Sequence, residues 1–142
     1  MAAYLMENLD LEVGVDLPTV KKDPVTHTQL VKFSGASGDF NPIHTVESAA
    51  KEAGLAGVIA HGMLIMGFAG EALTTWVPRA SIQKFNVRFS AMTKPGDEIE
   101  VRGKLAKKVE QEDGILVEIK LQAVDQKEEV KVKGSCIALL SK

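Results

Sequence analysis

The sequence predicts an α+β fold in which a curved antiparallel sheet wraps around one long central helix. Two patterns lead to this prediction. Residues 62–76 are apolar almost all round, which indicates a helix that is buried on every side. The C-terminal half instead contains four segments typical of strands, with apolar residues at alternate positions in the clearest of them. One buried helix combined with such a sheet favours an architecture in which the sheet surrounds the helix.

Short polar turns separate the strand segments. Alternation is clearest at Phe85, Val87 and Phe89, which charged and polar residues separate. Strands joined by short connections are expected to form an antiparallel meander. The expected strands are residues 80–92, 98–109, 115–124 and 130–140. The expected N-terminal elements are a short strand at 17–25, a helix from Thr26 or Thr28 to about Ala36, a loop at 34–44 and a helix at 46–53.

Composition restricts the function classes. The chain has 142 residues, of which 45% are hydrophobic and 25% charged, so we expect one globular domain over residues 1–142. The net charge of −2 comes from mixed charges without a basic stripe, which argues against nucleic acid as a partner. A single cysteine cannot form an intrachain disulfide. No signal peptide or membrane span is evident, so a cytoplasmic location is expected.

The segment from Ser37 to His44 contains the candidate catalytic pair, Asp39 and His44. The two residues are five positions apart in a glycine- and proline-containing stretch, so a helix does not align them. Pro42 and Gly38 favour one defined loop shape, in which both side chains could enter one cleft. Adding water to a conjugated double bond needs one base and one acid that work near neutral pH. A carboxylate and an imidazole can supply both, although an ordinary turn explains the same segment equally well.

A second segment favours the chemical interpretation. Ala60-His61-Gly62-Met63 stands at the start of the expected buried helix. The first amides of a helix have no internal acceptor and lie at the positive end of its dipole. A free N–H from Gly62 could therefore stabilise a thioester oxygen that becomes an enolate. The alternative is that Gly62 only permits close packing, and we favour a capping or core role for His61.

These residues together resemble the MaoC-like dehydratases, which include the (R)-specific enoyl-CoA hydratases. The match covers Phe33-Ser34-Gly35, then Gly38-Asp39-x-Asn41-Pro42-x-His44, then Ala60-His61-Gly62-Met63. The chain is most similar to the short members, including hydratase-type subunits of (3R)-hydroxyacyl carrier-protein dehydratases. The resemblance implies a hotdog fold, with Asp39 and His44 as the catalytic dyad and the Gly62 amide as the oxyanion donor. Asn41 is expected to shape the loop and bind near the reactive centre.

The implied reaction is syn hydration of a trans-2-enoyl thioester to the (3R)-hydroxy product, or its reverse, without metal or redox cofactor. The substrate is expected to be an acyl-CoA or acyl carrier-protein thioester. Hotdog subunits usually pair, so we expect a homo-oligomer or a heterodimer with a second hotdog chain. The alternatives are a hotdog thioesterase, to which the Asp39/His44 pair offers nothing, and an acyl-binding subunit of a hetero-oligomeric dehydratase.

One position departs from the family pattern. Several family hydratases carry a serine where this chain has Gly70, and we hypothesise that Gly67 and Gly70 leave room for an acyl chain. The scattered histidines predict no zinc site. Four apolar residues of the long helix are expected in the core, with an acyl-pocket wall as the alternative: Met63, Met66, Phe68 and Leu73. Cys136 is expected to be a buried hydrophobe rather than a nucleophile.

Overall fold

The computed structural model describes residues 3–141, which form four α-helices, five strands and two short 3₁₀ turns. The helices are α1 (Tyr4–Glu7), α2 (His27–Ser37), α3 (Glu47–Glu52) and α4 (Gly62–Trp76). The strands are β1 (Val20–Lys21), β2 (Ile82–Phe89), β3 (Glu100–Gln111), β4 (Gly114–Val124) and β5 (Val130–Leu140). The 3₁₀ turns are Pro42–His44 and Arg79–Ser81. Among these residues, no helix has the length and apolar character needed to cross a bilayer.

The strands form one antiparallel sheet in the order β1-β3-β4-β5-β2. Only β3, β4 and β5 follow one another as a meander, so the expected meander of four consecutive strands is wrong. β2 pairs with β5 at the far edge, with Arg88 opposite Lys133. Residues 90–99 carry the chain from the β2 edge to β3, which lies on the other side of the sheet. The predicted tight turn lies within them, where the Asp97 amide donates to the Lys94 carbonyl at 3.1 Å, but it does not join two paired strands.

Several predicted boundaries need correction. The first long strand spans Ile82–Phe89 rather than 80–92, because a 3₁₀ turn precedes it. Only Val20–Lys21 of the segment 17–25 is strand. Leu17 and Val25 donate backbone hydrogen bonds to Gly103 and Asp97, so the segment does follow β3 and the loop before it. It contains two prolines, Pro18 and Pro24, which have no N–H for a regular ladder.

Helix α2 begins as predicted but extends further. The Oγ1 atom of Thr26 accepts a hydrogen bond from the Gln29 amide at 3.1 Å, which caps the helix. The helix continues through Ser37 and ends at Gly38, whose φ of 79° is left-handed. The expected loop therefore loses its first residues to α2. Ser34 lies buried on the last turns of a helix, where its side chain can reach the interior.

Helix α4 spans the predicted residues, but the prediction that it is buried on every side is wrong. Its buried residues are Leu64, Ile65, Phe68, Ala69, Ala72, Leu73 and Trp76. Of the four residues assigned to the core, Phe68 and Leu73 are buried, Met66 is half-buried and Met63 is 58% exposed. Met63 and Gly67 face outward. The apolar sequence of α4 indicates a water-excluded surface, but it does not indicate whether other residues of the same chain bury that surface.

The C-terminal end of α4 is fixed by Trp76. Its ring is fully buried, and Nε1–H donates to the Pro18 carbonyl at 2.8 Å. The ring lies against the bare backbone of Gly103 in β3, where an added Cβ would come within 2.5 Å of Trp76 Cη2. This contact ties α4, β3 and the segment before β1 together.

Replacing Gly103 with alanine should destabilise the protein, because the new methyl group and the buried indole cannot both fit. We expect Gly103→Ala to cost about 1–3 kcal/mol in the free energy of unfolding by urea. Gly35→Ala is the matched control. Gly35 lies in α2 with no atom within 4 Å of an added Cβ, so this change should be neutral or stabilise by up to ~1 kcal/mol. Equal stability of Gly103→Ala and the unmodified protein would contradict the contact.

A buried ion cluster holds the segment 92–97 against the turn between β4 and β5. Lys131 is 3% exposed, and its Nζ lies 3.3 Å from Asp125 Oδ2 and 3.7 Å from Asp97 Oδ2. It also donates to Glu129 and to the Met92 carbonyl, the latter at 2.8 Å. Nothing in the sequence pattern indicated a buried lysine here. Because burial of charge is costly, loss of one partner would leave the others uncompensated.

Two opposing effects act on the pKa of Asp125. Burial alone would raise it, but backbone N–H donors from Glu129 and Lys127, together with Lys131, outweigh burial and leave the pKa below its usual range. A depressed folded pKa means that the carboxylate contributes stability above its unfolded pKa. That contribution is lost as the pH falls through the folded pKa.

Lowering the pH should therefore remove the difference in stability to urea between the unmodified protein and Asp125→Asn. At neutral pH we expect the variant to unfold at a lower urea concentration. The gap should begin to narrow as the pH falls towards the unfolded pKa of about 3.9, and it should close only below the lower folded pKa, where the carboxyl of the unmodified protein takes up its proton. Asp113→Asn, in the exposed turn before β4, is the control and should follow the unmodified protein throughout. A gap that stays constant with pH would show that Asp125 does not act through its charge.

Candidate active site

The loop after α2 is shaped by its own side chains. Asp39 Oδ1 accepts from the Asn41 amide at 3.2 Å, and Asn41 Oδ1 accepts from the Ile43 amide at 3.2 Å. Pro42 then begins the 3₁₀ turn that contains His44. The turn interpretation and the chemical interpretation are thus compatible. One carboxylate oxygen of Asp39 shapes the loop while the other points towards His44.

His44 and Asp39 face each other across a short gap. His44 is 8% exposed, whereas the side chain of Asp39 is 52% exposed. His44 Nδ1 lies 2.7 Å from the Ile59 carbonyl oxygen. A carbonyl can only accept, so Nδ1 carries the proton and Nε2 presents a lone pair in the neutral ring. Nε2 lies 3.9 Å from Asp39 Oδ2, which is too long for a direct hydrogen bond and suits a bridging atom.

Gly62 is the first residue of α4, as the sequence predicted. Its N–H has no acceptor within the helix and lies at the positive end of the helix dipole. A Cβ at this position would lie 3.1 Å from the Phe89 ring, so the absence of a side chain keeps the backbone accessible. Gly62 and His44 line the same cleft of about 440 Å³. The other lining residues include Ile59, Ile65, Phe89, Met92, Thr93 and Lys131.

A larger cleft of about 710 Å³ shares Ile59, Met92 and Lys131 with the first. Lys94 is exposed and lines this larger cleft. Lys84 and Arg88 are exposed on β2 and line neither of the two clefts. Asp39 and Asn41 do not line either cleft. Asp39 reaches the first cleft only through His44, and Asn41 is exposed with its side chain turned to its own loop.

No sequence pattern indicated that His61 contacts His44. The two rings stack with centroids 3.8 Å apart and planes inclined by 24°. His61 is 2% exposed, and its Nε2 lies 3.1 Å from Ser34 Oγ and 3.2 Å from the Asp39 carbonyl oxygen. It makes no side-chain capping bond to α4. Of the two roles considered, the core role is therefore correct. The third histidine, His27, is exposed and bonds the Thr45 carbonyl.

Asp39, His44 and His61 offer ligand atoms within 4.8 Å of one another, so two of the three histidines lie close together in space. The Asp39 carbonyl accepts from His61 Nε2, so that nitrogen carries a proton and offers no lone pair to a metal ion. Cys136 is no nucleophile candidate, because burial raises the pKa of its thiol to about 11.

Residues 10–127 match the family described as the MaoC like domain. The chain belongs to this family. The MaoC-like domain is 32% identical over 99 residues to 3-hydroxybutyryl-CoA dehydratase from Methylorubrum extorquens, covering 68% of this chain and 62% of that protein. It is 37% identical over 79 residues to fatty acid synthase subunit beta from Gibberella zeae, covering 54% of this chain and 4% of that protein. The chain thus spans less than two thirds of each relative.

Solved structures agree with this assignment. The (R)-hydratase PhaJ1 from Pseudomonas aeruginosa matches with a TM-score of 0.81 and 25% identity, over 94% of this chain and 85% of that one. The (R)-hydratase from A. caviae matches with a TM-score of 0.77 and 20% identity, over 92% and 97%. A chain of the ChsH1-ChsH2 complex from Mycobacterium tuberculosis matches with a TM-score of 0.77 and 18% identity, over 91% of this chain and 98% of that one. The last two structural matches support the fold alone. The hotdog fold expected of the MaoC-like domain is confirmed.

The His44 tautomer can be tested without any assumption about the reaction. At a pH where the imidazoles are neutral, ¹⁵N-histidine NMR should show His44 protonated at Nδ1, because Nδ1 donates to the Ile59 carbonyl. The chain has three histidines, so each signal can be assigned by single replacement. Exposed His27 provides the comparison for an imidazole outside the site. A His44 ring protonated at Nε2 would contradict the geometry that frees that atom for chemistry.

Proposed function

We propose that this MaoC-like domain catalyses the reversible hydration of trans-2-enoyl thioesters to (3R)-3-hydroxyacyl thioesters. One observation carries the proposal. A carboxylate oxygen of Asp39 and the Nε2 of His44 face each other across 3.9 Å, and His44 shares a cleft with the first residue of α4. That residue, Gly62, has a free N–H, and the cleft is apolar-walled. Hydration needs an acid, a base and an oxyanion donor together, and this arrangement provides all three.

In the proposed reaction, a water molecule is held between Asp39 Oδ2 and His44 Nε2. One of the pair removes a proton from the water while its oxygen bonds to C3 of the substrate. The electrons of the double bond move towards the thioester, whose carbonyl oxygen becomes an enolate oxygen. The pair then delivers a proton to C2, so both additions occur on one face. We assign acid and base to the pair rather than to single residues, because coupled groups titrate jointly.

Gly62 is the proposed oxyanion donor. Its N–H gains strength from the dipole of α4 and stays fixed during the reaction, so it stabilises the enolate without reorganisation. Asn41 is proposed to shape the loop, which its hydrogen bond to the Ile43 amide supports. Contact of Asn41 with the reactive centre stays a prediction.

The acyl chain and the carrier group need separate routes. An added Cβ at Gly70 would have only Phe85 near it, at 3.8 Å, and Gly67 has nothing within 4 Å. Both glycines therefore leave space on that side of α4, but neither lines the cleft beside His44. Their role in accommodating an acyl chain stays a prediction. The larger cleft with Lys94 is proposed to receive the CoA or carrier-protein arm.

We propose that the domain works paired with a second hotdog subunit, identical or different. Exposed apolar side chains lie on or beside the elements of the site, and a partner would remove them from water. They are Phe40, Val46, Met63, Phe89 and Met92. We further propose that the enzyme needs no metal or redox cofactor, because acid, base and oxyanion donor are all side chains or backbone of this chain. A cytoplasmic location is a separate proposal.

Two alternatives predict different products. A hotdog thioesterase would release a free thiol, and it has no use for a carboxylate and an imidazole that face each other. An acyl-binding subunit of a larger dehydratase would bind acyl thioesters without converting them. The completeness of the Asp39, His44 and Gly62 set favours catalysis over binding alone.

Replacing either member of the pair should abolish hydration without unfolding the protein. With crotonyl-CoA, we expect loss of the enoyl absorbance with the unmodified protein and no free thiol. Asp39→Asn and His44→Ala should each lower the rate by about 10²- to 10⁴-fold, because each removes a proton-transfer group. Asp113→Asn removes an exposed carboxylate outside the site and should keep the full rate.

Circular dichroism of each variant provides the folding control. Near-normal hydration by a folded Asp39→Asn or His44→Ala variant would exclude the proposed pair. Thiol release by the unmodified protein would favour the thioesterase, and tight acyl binding without turnover would favour the acyl-binding subunit.

A further inference from the structure

The burial of His61 carries a free-energy cost. Its imidazole is 2% exposed, and Nδ1 is buried without a hydrogen-bond partner among the described residues. An apolar ring of similar size would fill the same space without an unpaired nitrogen, so packing alone does not explain a histidine here. The explanation must lie with Nε2, which contacts the Asp39 carbonyl and Ser34.

The hydrogen bonds of His61 define its tautomer. The Asp39 carbonyl oxygen can only accept, so Nε2 carries the proton and donates. Ser34 Oγ, at 3.1 Å, shares that N–H as a second acceptor. Nδ1 then holds a lone pair rather than an N–H. The ring face of His61 meanwhile rests on His44.

Among residues 3–141, the other hydrogen bonds of Asp39 are local. Its amide donates to Ser37 Oγ, and its Oδ1 accepts from the Asn41 amide, both within the loop. The hydrogen bond from His61 links it to a residue far along the chain. His44 is held in a similar way by the carbonyl of Ile59. Both members of the pair are thus attached to residues 59–62, which also carry the Gly62 N–H.

We propose that His61 is a positioning residue for the reaction: it holds the Asp39 backbone and supports the His44 ring, and thereby sets the gap between the two groups. This inference rests on the proposed function. His61 takes no part in proton transfer, since its Nε2–H is committed to the Asp39 carbonyl. Its contribution is to keep an exposed carboxylate at a fixed distance from a buried imidazole.

Two replacements separate the hydrogen bond from the ring. His61→Phe retains an aromatic ring against His44 but removes the donor. His61→Gln loses the ring but can place an amide N–H near the position of Nε2. Phe33→Leu is the matched control, because it removes the ring edge that contacts His61 at a centroid distance of 4.8 Å and leaves every hydrogen bond of the pair.

For crotonyl-CoA hydration we expect His61→Phe to lower kcat by about tenfold to 100-fold with little change in KM, because a misplaced acid–base group slows the chemical step. His61→Phe should fold with a stability to urea close to that of the unmodified protein, since it removes one unpaired buried nitrogen but leaves Ser34 Oγ without its partner. His61→Gln should recover part of kcat, and Phe33→Leu should stay within a few-fold of normal. A purely structural role predicts normal kcat in the stable His61→Phe variant, and that result would overturn the proposal.

Amide hydrogen exchange tests the same inference without any assay of the reaction. In His61→Phe, amides of residues 39–44 should exchange faster than in the unmodified protein, and His61→Gln should restore part of their protection. Unchanged exchange would overturn the proposal even if the enzyme is active. Lack of hydration by the unmodified protein would refute the proposed function instead, while exchange would still show whether His61 holds the loop.

Discussion

The carbonyl oxygen of Ile59 accepts from His44 Nδ1 at 2.7 Å, and two residues later His61 donates to the Asp39 carbonyl. Between them, the Ala60 amide donates to the Thr93 carbonyl at 2.7 Å. The next residue, Gly62, begins α4. Residues 59–62 therefore hold both members of the proposed pair and the proposed oxyanion donor in one short stretch of backbone. A small shift of this stretch would move all three groups together.

Hydrogen bonds of this kind each contribute about 1 kcal/mol net, which is too little to fix a site without support. The support comes from packing and buried charge. Trp76 holds the far end of α4 against Gly103, so the helix cannot slide along the sheet. The ion cluster around Lys131 holds the segment that carries Thr93, which in turn bonds Ala60. Both anchors come after residues 59–62 in the chain, one at the end of α4 and the other at the segment 92–97.

The sequence predicted the parts that depend on local chemistry. Helix α4 and a threonine cap at position 26 or 28 follow from spacing and residue type, and the loop residues allowed Asp39 and His44 to face one another. It did not predict the placement of β2 beside β5, because alternation defines a strand but not its neighbour. The stacking of His61 on His44 and the burial of Lys131 depend on contacts between distant segments. Such contacts leave no periodic signal in a single sequence.

Product analysis tests the central claim most directly. The unmodified protein would be incubated with crotonyl-CoA in D₂O, and the product analysed by mass spectrometry, NMR and chiral chromatography. The account predicts 3-hydroxybutyryl-CoA of (3R) configuration, with solvent deuterium at C2 added to the same face as the oxygen. A (3S) product, addition to opposite faces, or free CoA without hydration would contradict it.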